Sequence, residues 1–365
     1  MNSSDKQIAP FASLRKEFSM KTPRRDFLKL AAGALVVPVV GSIVDAAPAA
    51  LKSWDSKLMG SGEYINVDGI RTRYFQAGQG ENLVLIHGGQ WPATSSAEGW
   101  SSIFDHLAEH YHVYAFDKLG MGFTDNPKSD ADYSMDAIIR HVHGFIKAVG
   151  IKKAVVAGQS RGALPAARIA IDDADLVSHL VLFDNNALAS GDIKMAERAD
   201  VRPDREAPTR ESIKRAALAS PLHVRKDFLT DAYIDAQYRI AMLPKIAEAD
   251  KNFRELKEKW VRENPERVKK DPRLGNNVGA NAWWLIDTKN ETLDMMRAGR
   301  LKAPTIMIWG WNDTFAPYTL ALDTMEILGK VSDRVELHLL NKASHFVFAE
   351  YPVEVTRLIN NFVLG

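Results

Sequence analysis

Residues 153–170, KAVVAGQSRGALPAARIA, constrain this chain more than any other stretch. Ala154 to Ala157 form a short apolar run, long enough for one fully buried strand. Gly158-Gln159-Ser160-Arg161-Gly162 follows it. The small and apolar residues Ala163, Leu164, Ala166, Ala167, Ile169 and Ala170 then predict a buried helix. Pro165 falls in the first helical turn, where proline is tolerated. The pattern is strand, tight turn, helix, an elbow with Ser160 at its apex. A serine so placed stands on a strained turn at the carboxyl edge of a sheet, and side chains at 158 and 162 would collide with neighbouring backbone. Its hydroxyl sits near a helix N-terminus, whose dipole favours negative charge.

The rest of the chain supplies a setting for that turn. Gly62 to Gln76 (GEYINVDGIRTRYFQ) has two β-rich runs flanking Asp68-Gly69, a hairpin signal. Asn82 to Ile86 predicts a buried strand running into His87-Gly88-Gly89, and Trp100 to His110 an amphipathic helix. Tyr111 to Asp117 is the next strand. Tyr133 to Val149 carries apolar residues at helical spacing, and Val177 to Phe183 is a strand after the elbow. From Asn185 to about Arg300 the alternation stops. That span is helix-rich, charged and dotted with aromatics, and it is too long for a loop in a compact domain. It reads as a helical cap. The sheet resumes at Pro304 to Trp309, followed by a helix (Tyr318 to Leu328), a strand (Arg334 to Leu340) and a last helix (Pro352 to Leu364). Strands alternating with helices predict a mainly parallel sheet with helices on both faces.

A serine at such a turn needs a base and an orienting acid, and in proteins whose strand–turn–helix signature this stretch resembles they follow in the order Ser, Asp or Glu, His. Asp313 lies just past one buried strand, in WGWND, and His345 just past the last, in ASHF. Both therefore reach the edge that carries Ser160. His345 would take the serine proton, and Asp313 would fix the imidazole tautomer. Asp184, after the preceding strand, is a rival acid, and Asp313 has a turn-residue alternative. The oxyanion hole should be two backbone N–H groups, that of Arg161 and one from the loop after His87, with Gly89 favoured. His87 itself reads as holding that loop. No metal-ligand cluster is evident, and no cofactor is expected.

Composition excludes several classes. The chain has 365 residues, 46% hydrophobic and 25% charged, ordinary for a globular protein. A net charge of +1 gives no reason to expect nucleic acid or a charged membrane as partner. The absence of cysteine removes disulfides and thiolate nucleophiles. At the N-terminus, Arg24-Arg25-Asp26-Phe27-Leu28-Lys29 precedes an apolar stretch from Leu30 to Val44 and then Asp45-Ala46-Ala47-Pro48-Ala49. This resembles a twin-arginine export signal, with cleavage after Ala46 or Ala49. The stretch is short for a membrane span and is broken by Gly33, Pro38 and Gly41, although an uncleaved anchor is the alternative. The resemblance implies a periplasmic or secreted protein with no stable membrane association once processed.

From about Tyr64 to Leu364 the chain resembles the α/β-hydrolase superfamily, and within it the meta-cleavage-product hydrolases, which cut carbon–carbon bonds in ring-fission products. The carrying stretches are His87-Gly88-Gly89, FDKLGMGFTDNP (Phe116 to Pro127), YSMDAIIRHVHGFIKAVGI (Tyr133 to Ile151), the elbow, WGWND and SHF. The resemblance implies a mainly parallel eight-stranded α/β sheet with an inserted helical cap. The expected division is 1–49 signal peptide, 50–185 core, 186–300 cap and 301–365 core. Three substrate-side positions depart from the subfamily. Gln159 stands where asparagine is typical, Phe346 where tryptophan is typical, and Gln237 aligns with a cap arginine that holds the substrate carboxylate, with Arg239 nearby. Arg161, directly after the nucleophile, could clamp a carboxylate instead, or point to solvent or a cap acid. Gln159, Arg161, Gln237, Phe346 and Gly88 are thus the expected substrate-binding residues.

The first reading is an exported serine hydrolase acting on an ester or lactone, acid-bearing ones included. The alternatives are a carbon–carbon hydrolase of the meta-cleavage type and, from another class, a non-catalytic ligand-binding relative. The expected partner is a small-molecule substrate, with a homodimer open as the assembly.

Overall fold

A computed structural model of the chain describes residues 56–92, 94–189, 207–276 and 281–365. The proposed signal peptide, residues 1–49, lies outside the described residues. Strands β1 (Glu63–Val67) and β2 (Ile70–Ala77) form the expected hairpin about Asp68-Gly69, both at positive φ. Next come β3 (Glu81–Ile86), α1 (Ser101–Ala108), β4 (Tyr111–Phe116), α2 (Met135–Ala148), β5 (Ala154–Gln159), α3 (Ala163–Asp172) and β6 (Val177–Phe183). The span expected as cap holds α4 (Arg210–Ala219), α5 (Asp231–Ala241), α6 (Pro244–Glu263), α7 (Pro265–Lys270) and α8 (Ile286–Arg297). The chain closes with β7 (Thr305–Gly310), α9 (Thr319–Leu328), β8 (Val335–Leu340), α10 (Val347–Glu350) and α11 (Pro352–Val363).

The eight strands form one sheet in the order β1-β2-β4-β3-β5-β6-β7-β8. The β1–β2 and β2–β4 pairs are antiparallel, and all others are parallel. The sheet is covered on both faces. Val156 of β5 packs with α2, α3 and α8 residues, whereas Val155 and Ala157 pack with α1 and α11 residues. A strand covered on both faces must be apolar throughout, which explains the unbroken AVVA run. Each valine so buried contributes roughly 1.5–3 kcal/mol. Among the cap-span helices, α8 packs on α3 and α9, with Leu293 and Met296 in the sheet's apolar layer. It therefore packs against helices of the sheet layer, while its Asp287 also pairs with Arg267 of α7. No helix among the described residues is long and apolar enough to cross a membrane.

Candidate active site

Strand β5 delivers Ser160 directly. Its φ is 51°, a left-handed conformation that strains a residue with a side chain. A Cβ on Gly158 would lie 2.4 Å from the Gly162 carbonyl oxygen, and one on Gly162 only 2.2 Å from that of Ile86. The glycines at 158 and 162 are therefore steric requirements of the turn. Ile86 and Gly158 are register partners, so the loop leaving β3 runs alongside the elbow.

The structure brings the three expected side chains into one relay. Ser160 Oγ lies 3.0 Å from His345 Nε2, and His345 Nδ1 lies 2.7 Å from Asp313 Oδ2. All three residues are buried. A carboxylate facing Nδ1 assigns the proton there and leaves Nε2 to accept from the serine hydroxyl. Asp313 is itself fixed, because its Oδ1 accepts from the N–H groups of Phe315 at 2.7 Å and Ala316 at 2.9 Å. The rival acid has other partners. Asp184 accepts from Gly310 N–H at 2.8 Å and Val347 N–H at 3.3 Å, joining the end of β7 to the start of α10. Burial, then the charge of Asp313, pushes its carboxyl well above the ordinary range.

The loop after β3 is held from behind. His87 Nδ1–H donates to the Gly88 carbonyl at 2.7 Å, and its Nε2 accepts from Lys118 N–H at 3.1 Å. Burial, reinforced by the Lys118 charge, lowers the His87 pKa well below its usual value, so the ring is neutral and holds the loop. A Cβ on Gly88 would lie 3.0 Å from Ser160 Cβ, so the loop passes against the nucleophile. Gly89 follows at φ 77°.

The expected substrate residues divide. The Gln159 amide donates to the His345 carbonyl at 3.0 Å, which ties the elbow to the histidine loop. The Arg161 side chain is buried, with its guanidinium carbon 5.3 Å from the Trp284 ring centroid. The outward-pointing alternative for Arg161 is thereby excluded. Phe346 packs 5.6 Å from the His345 ring and 5.0 Å from that of His223. Gln237, on α5, is half-buried and accepts from the Thr94 hydroxyl. Arg239 is exposed and donates to Glu98 at 3.2 Å.

Sequence reasoning missed three residues around this site. Lys118 is fully buried, and its Nζ donates to the Gly89 carbonyl at 3.1 Å. Glu350 accepts from Ser344 N–H at 2.7 Å and from Val224 N–H at 2.8 Å. His223 is held neutral, its pKa lowered to about 3 by burial and then by His345. The usable signal was a charged residue in an apolar setting: FDK after a buried strand, and VFAE after the histidine.

A family profile described as alpha/beta hydrolase fold matches residues 81–352. The 2-hydroxy-6-oxo-6-(2'-aminophenyl)hexa-2,4-dienoic acid hydrolase of Metapseudomonas resinovorans is 27% identical over 308 residues, spanning 82% of this chain and 90% of that protein. A solved serine hydrolase involved in carbazole degradation is 26% identical, with a TM-score of 0.61 over 83% of this chain and 98% of its own. The meta-cleavage product hydrolase from Pseudomonas fluorescens IP01 shares the fold, with 24% identity and a TM-score of 0.62 over 82% of this chain and 97% of its own.

Proposed function

The chain belongs to the alpha/beta hydrolase fold family, and from that premise we propose that it hydrolyses a carbon–carbon bond in an acid-bearing vinylogous diketone. That it is a serine-type hydrolase acting on a small molecule is the coarser conclusion. The residues alone favour ester or lactone cleavage, and relatives spanning four-fifths of the chain shift the weight to carbon–carbon cleavage. The observation that carries the proposal is the unbroken Ser160–His345–Asp313 relay in a chain with those relatives.

The chemistry follows from the substrate type. In the keto tautomer of a 2-hydroxy-6-oxo-dienoate, breaking the C5–C6 bond leaves a carbanion delocalised onto the C2 carbonyl. The electron pair therefore has a sink, and no metal is required for it. Ser160 Oγ attacks the C6 carbonyl while His345 Nε2 takes its proton. The oxyanion forms against the N–H groups of Gly89 and Arg161. Collapse expels the dienolate, which receives the proton from His345 and leaves an acyl-serine. Water, deprotonated by His345, then releases the second acid. Asp313 stabilises the imidazolium at both stages.

The second reading, an ester or lactone with a free acid, is favoured by Gln159, Phe346 and Gln237, the positions that depart from the subfamily, together with Arg161 beside the nucleophile. Turnover of a ring-fission dienoate, followed by loss of its chromophore, is to be compared with p-nitrophenyl esters and lactones. A higher kcat/KM for the dienoate is expected, and a higher value for the esters returns the second reading. Ser160→Ala should lose turnover of every substrate by on the order of 10⁴ to 10⁶ in kcat. We further propose export by the twin-arginine route, supported by Arg24-Arg25 and the weakly apolar stretch after them.

A further inference from the structure

We propose that Lys118 is a positioning residue that holds the loop after β3 so that its Gly89 N–H faces the reacting carbonyl. The proposal rests on the reading of Ser160 as the nucleophile. Lys118 lies just past β4, whose Phe116 is the register partner of Ile86 on β3, so the two strand ends deliver their loops side by side. Its side chain is sealed from solvent, and its Nζ donates to the Gly89 carbonyl at 3.1 Å. Its own backbone N–H donates to His87 Nε2 at 3.1 Å, and His87 Nδ1–H donates to the Gly88 carbonyl at 2.7 Å. Two successive carbonyls are thus each held by a side-chain donor.

A trans peptide carries its C=O and N–H on opposite sides. Holding the Gly88 carbonyl on His87 turns the Gly89 N–H the other way. Holding the Gly89 carbonyl on Lys118 fixes ψ of Gly89, so the loop is pinned on both sides of the Gly89 N–H. Glycine imposes no backbone preference of its own, and Gly89 sits at φ 77°, so side-chain donors must fix this loop. Burying an amine costs free energy that an apolar side chain would not incur. Burial, then the Arg161 charge, pushes the Lys118 pKa well down. The amine keeps an N–H in either protonation state, so the hold on Gly89 survives its titration.

The test uses Lys118→Met in the full chain. This variant keeps the backbone N–H to His87 and removes only the side-chain donor. With whichever panel substrate the wild type turns over, kcat should fall about 10- to 100-fold, less than deleting an oxyanion donor outright costs, and KM should not change. A boronic acid, which forms a tetrahedral adduct on the serine, should lose affinity by the same factor, while the product carboxylic acid binds as before. Unchanged kcat in the folded variant, or equal weakening of boronate and product, overturns the proposal. Should the Met variant fail to fold, Lys118→Leu, which also lacks a donor, is read by the same ratio of boronate to product affinity, and an unchanged ratio overturns it. Wild-type turnover and boronate binding test the Ser160 reading separately, since their absence fails that reading before Lys118 is altered.

Discussion

A guanidinium buried one residue past the nucleophile acts on its surroundings before any ligand arrives. The charge of Arg161 adds to burial in lowering Lys118, and in lowering Lys289 to about 8. A region that disfavours further positive charge favours an anion, which fits a substrate carboxylate. Arg161→Met keeps the backbone N–H and removes only the charge. A charge-assisted hydrogen bond contributes about 1.5–3 kcal/mol, so kcat/KM for acid-bearing substrates should fall about 10- to 100-fold. Neutral esters should be unaffected or improve, because no buried guanidinium then remains desolvated. Equal loss on charged and neutral substrates would assign Arg161 to packing alone. At this scale Ser160, Asp313 and His345 were legible, because each follows an apolar strand and so reaches the same sheet edge. The partners of Asp184 and Lys118 were not, because they are backbone groups distant in sequence that only strand register brings near.

One carboxylate links the histidine loop to the segment between α4 and α5. Glu350, the last residue of α10, accepts from Ser344 N–H at 2.7 Å, Val224 N–H at 2.8 Å and Arg225 N–H at 3.3 Å. Burial raises its pKa to about 7, although these backbone donors and the Arg225 charge pull the other way. The unfolded value is about 4.5, so between these pH values the folded protein holds the proton more tightly than the unfolded chain. The stabilisation is therefore fully present below the unfolded pKa and is lost as pH rises through the folded one. A shift of this size corresponds to about 3 kcal/mol. Tm measured from acid to mildly alkaline pH should fall more steeply for the wild type than for Glu350→Gln, which has nothing to titrate there. Parallel curves would mean that the Glu350 pKa is the same in the folded and unfolded states. The strands were legible as elements because burial on both faces leaves an apolar run. The docking of α8 was not, since helical periodicity shows which face is apolar but not which layer that face meets. The short α10 is set by Glu350 and Asp184, whose partners lie outside the local sequence.

At the scale of the whole molecule, the sheet gathers its chemistry at one edge and buries an apolar layer on each face, so residues 56–365 contain the complete relay. The proposed address lies in residues 1–49 and Ser160, Asp313 and His345 lie within residues 56–365, so the two can be tested separately. The twin-arginine route carries folded proteins, and its signal depends on the paired arginines, not on general positive charge. Arg24→Lys together with Arg25→Lys keeps the net charge and the apolar stretch from Leu30 to Val44, and changes only the guanidinium pair. The full-length precursor should then accumulate in the cytoplasm of a bacterium that has this route. Total hydrolase activity in lysed cells should stay the same, while its share in the periplasmic fraction collapses. The unchanged total distinguishes a lost address from a misfolded enzyme. Normal appearance of the shortened protein outside the inner membrane would overturn the proposed export, and activity retained in the membrane fraction of both forms would identify the apolar stretch as an anchor.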